Sequence, residues 1–294
     1  MVKTLPRRAV RGRPASVEPS CARLRSSETH RAEHCSSLRK RTIAWLVVLG
    51  LASAAVCAET VQYDGRATDP ESGALLYTER HLLREAAGRP RERLVNYVCP
   101  GGEVFARKRV DYTPSTIAPS FQLDDGRDGY REGVRRDGQR IVAFVRMGTG
   151  KREQDGVLPQ GARLVADAGF DEYVRRNWNA LVGGHTLPIH FAVPASRRAY
   201  TFKLRKLSST MVAGVPAQVF RLKVSGLLGL VAPQIDVAYA RESKRLLRFE
   251  GVTNLRDVDG DQWTARIAFA DRAAQPADDA QWAAALAAPL RLCK

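Results

Sequence analysis

Alternation of apolar and polar residues limits the possible folds of this chain more than any other feature of its sequence. In "AYTFKLRKL", Tyr200, Phe202 and Leu204 lie on one side and Thr201, Lys203 and Arg205 on the other, and similar runs recur from residue 61 onward. Successive side chains of a strand point to opposite faces, so this pattern predicts strands with one buried and one solvated face. Burial on one side is typical of antiparallel sheets.

Turns and helices are predicted at definite places within this β-rich pattern. Asp259–Gly260, between "LLRFEGVTNLRD" and "QWTARIAFA", predicts a hairpin, because Asp-Gly suits a tight turn. In "DAGFDEYVRRNWNALVGG", apolar residues recur at helical spacing, with Asp167 as the expected N-cap and Gly183–Gly184 as the stop. A second, Ala-rich helix is predicted from Asp279 to Ala288.

These elements together predict a mainly β fold. We expect a curved antiparallel sheet or open half-barrel of about 10–12 strands that encloses one helix, plus a short C-terminal helix. The sequence has no repeat of fixed period, which disfavours solenoids and propellers.

A basic stretch followed by an apolar one predicts that the protein is exported. Three basic residues, 39–41, precede 17 uncharged residues, 42–58. The strongly apolar part of this segment is short for a membrane span, and small residues precede Glu59, as signal peptidase requires. Residues 39–58 are therefore predicted to be a signal peptide, which makes the protein periplasmic. An inner-membrane anchor through 42–58 is the alternative.

The domain organisation follows from the same division. Residues 1–38 are rich in Arg, Ser and Pro, so we expect either a disordered basic segment or the product of a start site assigned too far upstream. Residues 1–58 hold 11 of the 47 basic and 3 of the 31 acidic side chains, which is half of the net charge of +16. Residues 59–294 are predicted to form a single β-rich domain, whose moderate positive charge does not indicate nucleic acid.

Two cysteines, Cys99 and Cys293, remain beyond the predicted signal peptide. An isolated pair often forms a disulfide in an oxidising periplasm, and this one would tie the C-terminus to an early strand. Two separate thiols are the alternative. The sequence has no CxxC motif, so a redox site is not indicated.

The sequence offers few motifs for catalysis, metals or cofactors. "VRMGTGKRE" lacks the first Gly and the Ser or Thr of a phosphate-binding loop, and "DVDGDQ" lacks the Gly and Glu of a calcium loop. His185 and His190 have no companions for a zinc site, so neither a metal nor another cofactor is expected. Glu79 and His81 fall on one face of a strand, as either an acid–base pair or part of a cross-strand salt bridge.

Aromatic and apolar side chains supply the candidate ligand-binding residues. The aromatic side chains of the first helix either line a lipophilic cavity or close an ordinary core, and the apolar loop "SGLLGLVAP" either touches a ligand or membrane or plugs a barrel. A basic row, Lys203, Arg205, Arg221 and Lys223, is either an ordinary solvated face or a site of peripheral contact with anionic lipid. The candidate set comprises Phe170, Tyr173, Trp178, Leu227, Leu228, Leu230 and Tyr130.

Three segments, "LLYTERH", "PSFQLDDGRDGYREGVRR" and "LLRFEGVTNLRD", resemble parts of uncharacterised exported proteins of Gram-negative bacteria. The predicted architecture is also similar to the open half-barrels of periplasmic lipoprotein carriers, whose concave face holds acyl chains. This resemblance implies a β-rich exported fold with a lipophilic ligand, and no catalytic residue can be assigned from it.

Three functional hypotheses follow. The first is a non-enzymatic periplasmic binding or carrier protein for a lipid or another lipophilic or amphiphilic ligand. The second is an envelope interaction or structural protein that holds another envelope protein and is membrane-anchored through 42–58. The third is an enzyme that uses Asp125, Arg127, Tyr130 and Glu132 on an envelope carbohydrate or ester.

Overall fold

Strands make up most of the computed structural model, which describes residues 59–226, 234–257, 259–270 and 274–293. The first eight strands are β1 (Glu59–Thr68), β2 (Leu75–Ala86), β3 (Arg89–Val98), β4 (Val104–Asp111), β5 (Ser120–Asp125), β6 (Tyr130–Asp137), β7 (Arg140–Met147) and β8 (Gln154–Leu158). The next eight are β9 (Leu164–Val165), β10 (Leu187–Val193), β11 (Arg198–Val212), β12 (Val215–Val224), β13 (Ile235–Ala240), β14 (Leu246–Arg256), β15 (Gln262–Phe269) and β16 (Gln275–Ala277). The helices are α1 (Gly169–Arg176), α2 (Trp178–Val182) and α3 (Asp279–Ala287), with a 3-10 turn at Pro194–Ser196.

All sixteen of these strands belong to one open, curved sheet. Within two meanders, β1–β8 and β9–β15, each strand pairs with the next strand along the chain, and the meanders join side by side where β1 pairs with β15. β8 and β9 lie at opposite ends of this strand order, and β16 pairs with β1. Among the described pairings, β9 with β10 is parallel and the rest are antiparallel.

The prediction of a mainly β fold built on a curved antiparallel sheet is confirmed. The described residues hold sixteen strands, more than the expectation of about ten to twelve. Three strands, β8, β9 and β16, are five residues or shorter and are too brief to display alternation in the sequence. The predicted hairpin at Asp259–Gly260 connects β14 to β15, where Gly260 has a φ of 86°.

The first helical segment is two short helices instead of one continuous helix. Asn177 separates α1 from α2, and α2 ends at Gly183, as predicted. Asp167 does not cap α1, whose N-cap is Ala168, so that prediction is wrong. The reason is that the Asp167 carboxylate accepts a hydrogen bond from the buried ammonium of Lys108 at 2.8 Å.

Aromatic side chains fix these helices against the inner face of the sheet. The ring of Trp178 meets those of Phe220 and Tyr239 edge to face, with centroid distances of 5.4 and 6.4 Å. Such pairs add to the stabilisation that burial alone provides. These contacts hold α2 over the inner face of the sheet, and ion pairs from Asp171 to Arg93 and from Asp167 to Lys108 place the start of α1 beside β3 and β4.

The C-terminal segment packs against the outer face of β2, β3 and β4. Helix α3 agrees with the predicted helix to within one residue and begins with a capping box at Asp278. The guanidinium of Arg84 lies 4.1 Å from the Trp282 ring centroid. Beyond α3, Cys293 forms a disulfide with Cys99, the predicted pair, with 5.6 Å between the two Cα atoms. This bond ties the end of the chain to the turn that follows β3.

The part of the chain that the structure describes contains no helix long and apolar enough to span a membrane. The predicted signal peptide, 39–58, and the basic segment, 1–38, both lie outside the described residues, as does part of the apolar loop, 227–233.

Candidate ligand-binding cavity

The inner face of the sheet and helix α1 line a partly open cavity of about 470 Å³. Sites for small molecules are usually about 300–1,000 Å³, so this volume suits one small ligand. Its walls come from strands of both meanders, chiefly β1, β2, β3 and β4 on one side and β12, β13, β14 and β15 on the other.

Strict alternation along β2 builds one wall of the cavity. Tyr77, Glu79, His81 and Leu83 all line it, because every second residue of the strand faces inward. Tyr63 of β1 lies directly opposite His81 in the register, and the two rings stack with centroids 4.6 Å apart. The sequence therefore places two ionisable side chains on the inward face of a strand.

The opposite wall is mostly apolar. It is formed by side chains of four consecutive strands: Leu222 of β12, Ile235 and Val237 of β13, Phe249 of β14, and Ile267 and Phe269 of β15. Packing an alkyl chain against such a surface is favourable by about 25 cal/mol for each Å² of apolar surface that leaves water. This wall can therefore hold the hydrocarbon part of a ligand.

Two ion pairs lie at the other end of the cavity, between the sheet and the start of α1. The Lys108 ammonium donates to Asp167 Oδ1 at 2.8 Å. Arg93 Nη1 lies 3.6 Å from Asp171 Oδ2, and Tyr239 donates to the other oxygen of Asp171 at 2.7 Å. Burial has the largest single effect on the pKa of Lys108 and lowers it, but Asp167, Tyr97 and Glu79 together outweigh burial and raise that pKa above its ordinary value. Lys108 is thus charged at neutral pH.

Glu79 and His81 form a hydrogen-bonded pair within one strand. The distance from His81 Nε2 to Glu79 Oε2 is 2.9 Å, and both side chains are buried. Burial lowers the pKa of His81, so its ring is neutral at pH 7. Because the carboxylate accepts, Nε2 carries the hydrogen and Nδ1 is left as an acceptor.

The lowered pKa of His81 predicts how stability depends on pH. The unfolded chain, with an ordinary His pKa of about 6.5, takes up a proton that the folded protein resists. We therefore expect His81 to lower the free energy of unfolding as pH falls from about 6.5 towards its folded pKa. In urea titrations from pH 7.5 to 5, His81→Gln should remove part of this decrease. His185→Gln, which changes an exposed histidine, should not, and equal pH profiles for wild type and His81→Gln would contradict the assignment.

Several buried polar atoms of the cavity walls lack a hydrogen-bond partner among the described residues. They include His81 Nδ1, Arg93 Nε and Asp167 Oδ2, all belonging to side chains that line the cavity. Buried polar groups in proteins are nearly always paired, so such a concentration at one place requires a reason. A polar ligand group that accepts a hydrogen bond provides one for Arg93 Nε, which is a donor, whereas His81 Nδ1 and Asp167 Oδ2 are acceptors.

A second polar network lies beside the cavity and contains the residues of the enzyme hypothesis. Tyr130 donates to Glu132 at 2.7 Å, Asn254 also donates to Glu132, and burial raises the pKa of this carboxyl group. Arg127 pairs with Asp125 at 2.7 Å. Of these side chains only Asn254 lines the cavity. Within the described residues, the four candidates therefore bond to one another or to neighbouring protein groups.

The structure places the four predicted ligand-binding residues that it describes in three environments. Phe170 lines the cavity. Tyr173 and Trp178 are buried in the core around α1 and α2, and Tyr130 belongs to the polar network. Leu227, Leu228 and Leu230 lie outside the described residues. Of the candidates that the structure describes, it brings Phe170 alone to the cavity wall.

The charged end of the cavity was not predicted, although one of its residues left a signal in the sequence. In "ERLVNYV", Arg93 alternates with Val95 and Tyr97, so a charged side chain shares a strand face with apolar ones. That pattern indicates that Arg93 lies either at the edge of the buried face or within the protein interior. Lys108 and Asp167 are 59 residues apart and carry no local signal of their pairing.

Comparison with known proteins assigns the chain to no family. No model of a known protein family matches the sequence, and no curated protein matches it either. Among solved structures, the chain is similar to a β-barrel-like protein of the domain of unknown function DUF1849 from Brucella abortus, with a TM-score of 0.44 and 10% sequence identity. The similarity covers 73% of this chain and 96% of that one, and at this level it carries no argument about function.

Proposed function

We propose that this protein is a non-enzymatic binding or carrier protein that holds a lipophilic or amphiphilic ligand in its interior cavity. The observation that carries the proposal is the composition of the cavity wall, which is mostly apolar along β12 to β15, with Thr253 and Asn254 as polar members, and charged between β3, β4 and α1. An amphiphile matches both ends at once, with its hydrocarbon part against Val237, Phe249 and Phe269 and its polar group beside Arg93 and Lys108.

The periplasm is the compartment that we propose for this activity. The apolar segment 42–58 follows a basic stretch, as in signal peptides, and the disulfide between Cys99 and Cys293 suits an oxidising environment. An amphiphile needs shelter from water to cross an aqueous compartment, and an interior cavity in an exported β-rich protein would provide it.

Filling the cavity should abolish binding. We expect wild-type protein to bind the uncharged apolar dye N-phenyl-1-naphthylamine, with a rise in fluorescence that saturates at one dye per chain. Val237, which is 2% exposed and lines the cavity, is the residue to enlarge. In Val237→Phe the larger ring occupies ligand space, so dye affinity should fall by at least about tenfold, which corresponds to 1.4 kcal/mol.

Val219→Phe is the matched control. Val219 is also buried, at 4% exposure, but it packs in a separate cluster with Ala217, Ala238 and Leu247. Overpacking should destabilise both variants to a similar extent, whereas dye binding should weaken in Val237→Phe alone. Equal dye affinity in the two variants, or no binding by wild type, would contradict the proposal.

A further inference from the structure

We infer that Arg93 anchors the ligand and that the ligand is an amphiphile with a single negative charge, such as a long-chain carboxylate. This inference deepens the proposed function and rests on it, since it names the chemistry that the charged end of the cavity selects.

Arg93 is a buried cation that leaves its hydrogen bonds unused. Its side chain is 9% exposed and lines the cavity from β3. A guanidinium is always charged and carries five N–H donors. Within the part of the chain that the structure describes, none of these donors makes a hydrogen bond, and Nε is buried without a partner. The nearest carboxylate oxygen, Oδ2 of Asp171, lies 3.6 Å from Nη1, beyond the usual range of about 2.7–3.2 Å.

The neighbouring cations differ from Arg93 in this respect. Lys108 donates to Asp167 at 2.8 Å, and Arg175 donates to Glu172 and to the carbonyl of Lys244. Their charges are already matched by protein groups. Arg93 is the cation at this end whose planar donor fork is open to a carboxylate, and arginine binds carboxylates with two parallel hydrogen bonds.

The groups around Arg93 also limit the charge of the ligand. Asp171 lies beside it, held in place by Tyr239, and Asp167 is close by on the same side of the cavity. A head group with several negative charges would be repelled more strongly by these two carboxylates, and the nearby cations Lys108 and Arg175 are already paired with protein carboxylates. A single carboxylate can instead share the guanidinium with Asp171. The Tyr112 ring packs against this guanidinium, with its centroid 5.8 Å from Arg93 Cζ.

The test compares probes that have the same chain and different heads. Dodecanoate, dodecanol and the dodecyltrimethylammonium cation, each below its micelle-forming concentration, would compete with N-phenyl-1-naphthylamine for the wild-type cavity. We expect dodecanoate to displace the dye at a concentration at least about tenfold lower than the cation requires, because a hydrogen bond to a charged group contributes about 1.5–3 kcal/mol, or roughly 10- to 100-fold in affinity.

Arg93→Gln should weaken dodecanoate binding at least about tenfold and leave dodecanol within about threefold of wild type. Arg91→Gln is the matched control, since Arg91 lies on the same strand, is exposed, and carries the same charge. Arg93→Lys keeps the charge without the planar fork, so its affinity for dodecanoate should lie between those of wild type and Arg93→Gln. Dodecanol binding also verifies that each variant is folded.

The outcomes separate this inference from the proposed function. If dodecanol and dodecanoate bind equally well to wild type, or the cation binds as tightly as dodecanoate, Arg93 does not select the head group although the cavity still binds chains. If dodecanoate affinity is unchanged in Arg93→Gln, the anchor is elsewhere. If none of the three probes displaces the dye, or the dye itself does not bind, the proposed function fails as well.

Discussion

Replacing Lys108 with Met is expected to lower the free energy of unfolding by about 3–5 kcal/mol, because breaking a buried ion pair leaves the other charge uncompensated. The Asp167 carboxylate, 4% exposed, would remain in the interior without its partner at 2.8 Å. The loss would appear as a shift of the urea unfolding midpoint at pH 7 with an unchanged slope.

The double variant Lys108→Met/Asp167→Asn supplies the control for this prediction. Removing both charges of a buried pair is often nearly neutral, so the second change should restore much of the lost stability. Asn is the right replacement because Asp167 has a φ of 41°, a conformation that Asn tolerates better than most residues. A double variant as unstable as Lys108→Met would show that Lys108 acts by packing and not through its charge.

Loss of the disulfide between Cys99 and Cys293 should cause the next largest decrease in the free energy of unfolding. The bond joins residues 194 positions apart, and cross-links that close long loops restrict the unfolded chain most. We expect Cys293→Ala to lower the free energy of unfolding by about 2–4 kcal/mol. Cys293 is the position to change, because Cys99 is 3% exposed and its replacement would also disturb the core.

Treatment with a reductant distinguishes the stabilisation by the disulfide from any effect of removing the Cys293 side chain. Dithiothreitol should lower the stability of wild-type protein by about as much as Cys293→Ala does, and it should leave the variant unchanged. If the reductant destabilises both proteins equally, or neither, the stabilisation does not come from the disulfide.

The fold was largely predictable because most strands carry their own signal in the sequence. Alternation in "AYTFKLRKL" predicts β11, and Asp259–Gly260 predicts the turn from β14 to β15, from local residues alone. The pairing of β1 with β15 depends on residues about 200 positions apart and has no such signal. The break at Asn177 within the helical segment was also missed, since the apolar spacing continues across it.

The site was less predictable than the fold, for a related physical reason. The aromatic residues of α1 and α2 have the spacing expected of a ligand pocket, but that spacing is the same when they form core, as Trp178 does. The charged end depends on contacts between distant segments, such as Lys108 with Asp167. Glu79 and His81 were recognisable as a same-face pair, because two residues apart on a strand is a local relation.

The central claim is that the interior cavity holds an amphiphile, and native mass spectrometry of protein purified from its own cells tests it most directly. We predict that wild-type protein and Val219→Phe each carry one bound molecule, and that Val237→Phe carries none. After solvent extraction, mass spectrometry should identify this molecule as a singly charged amphiphile. Wild-type protein without any bound amphiphile, or the same molecule retained by Val237→Phe, would contradict the claim.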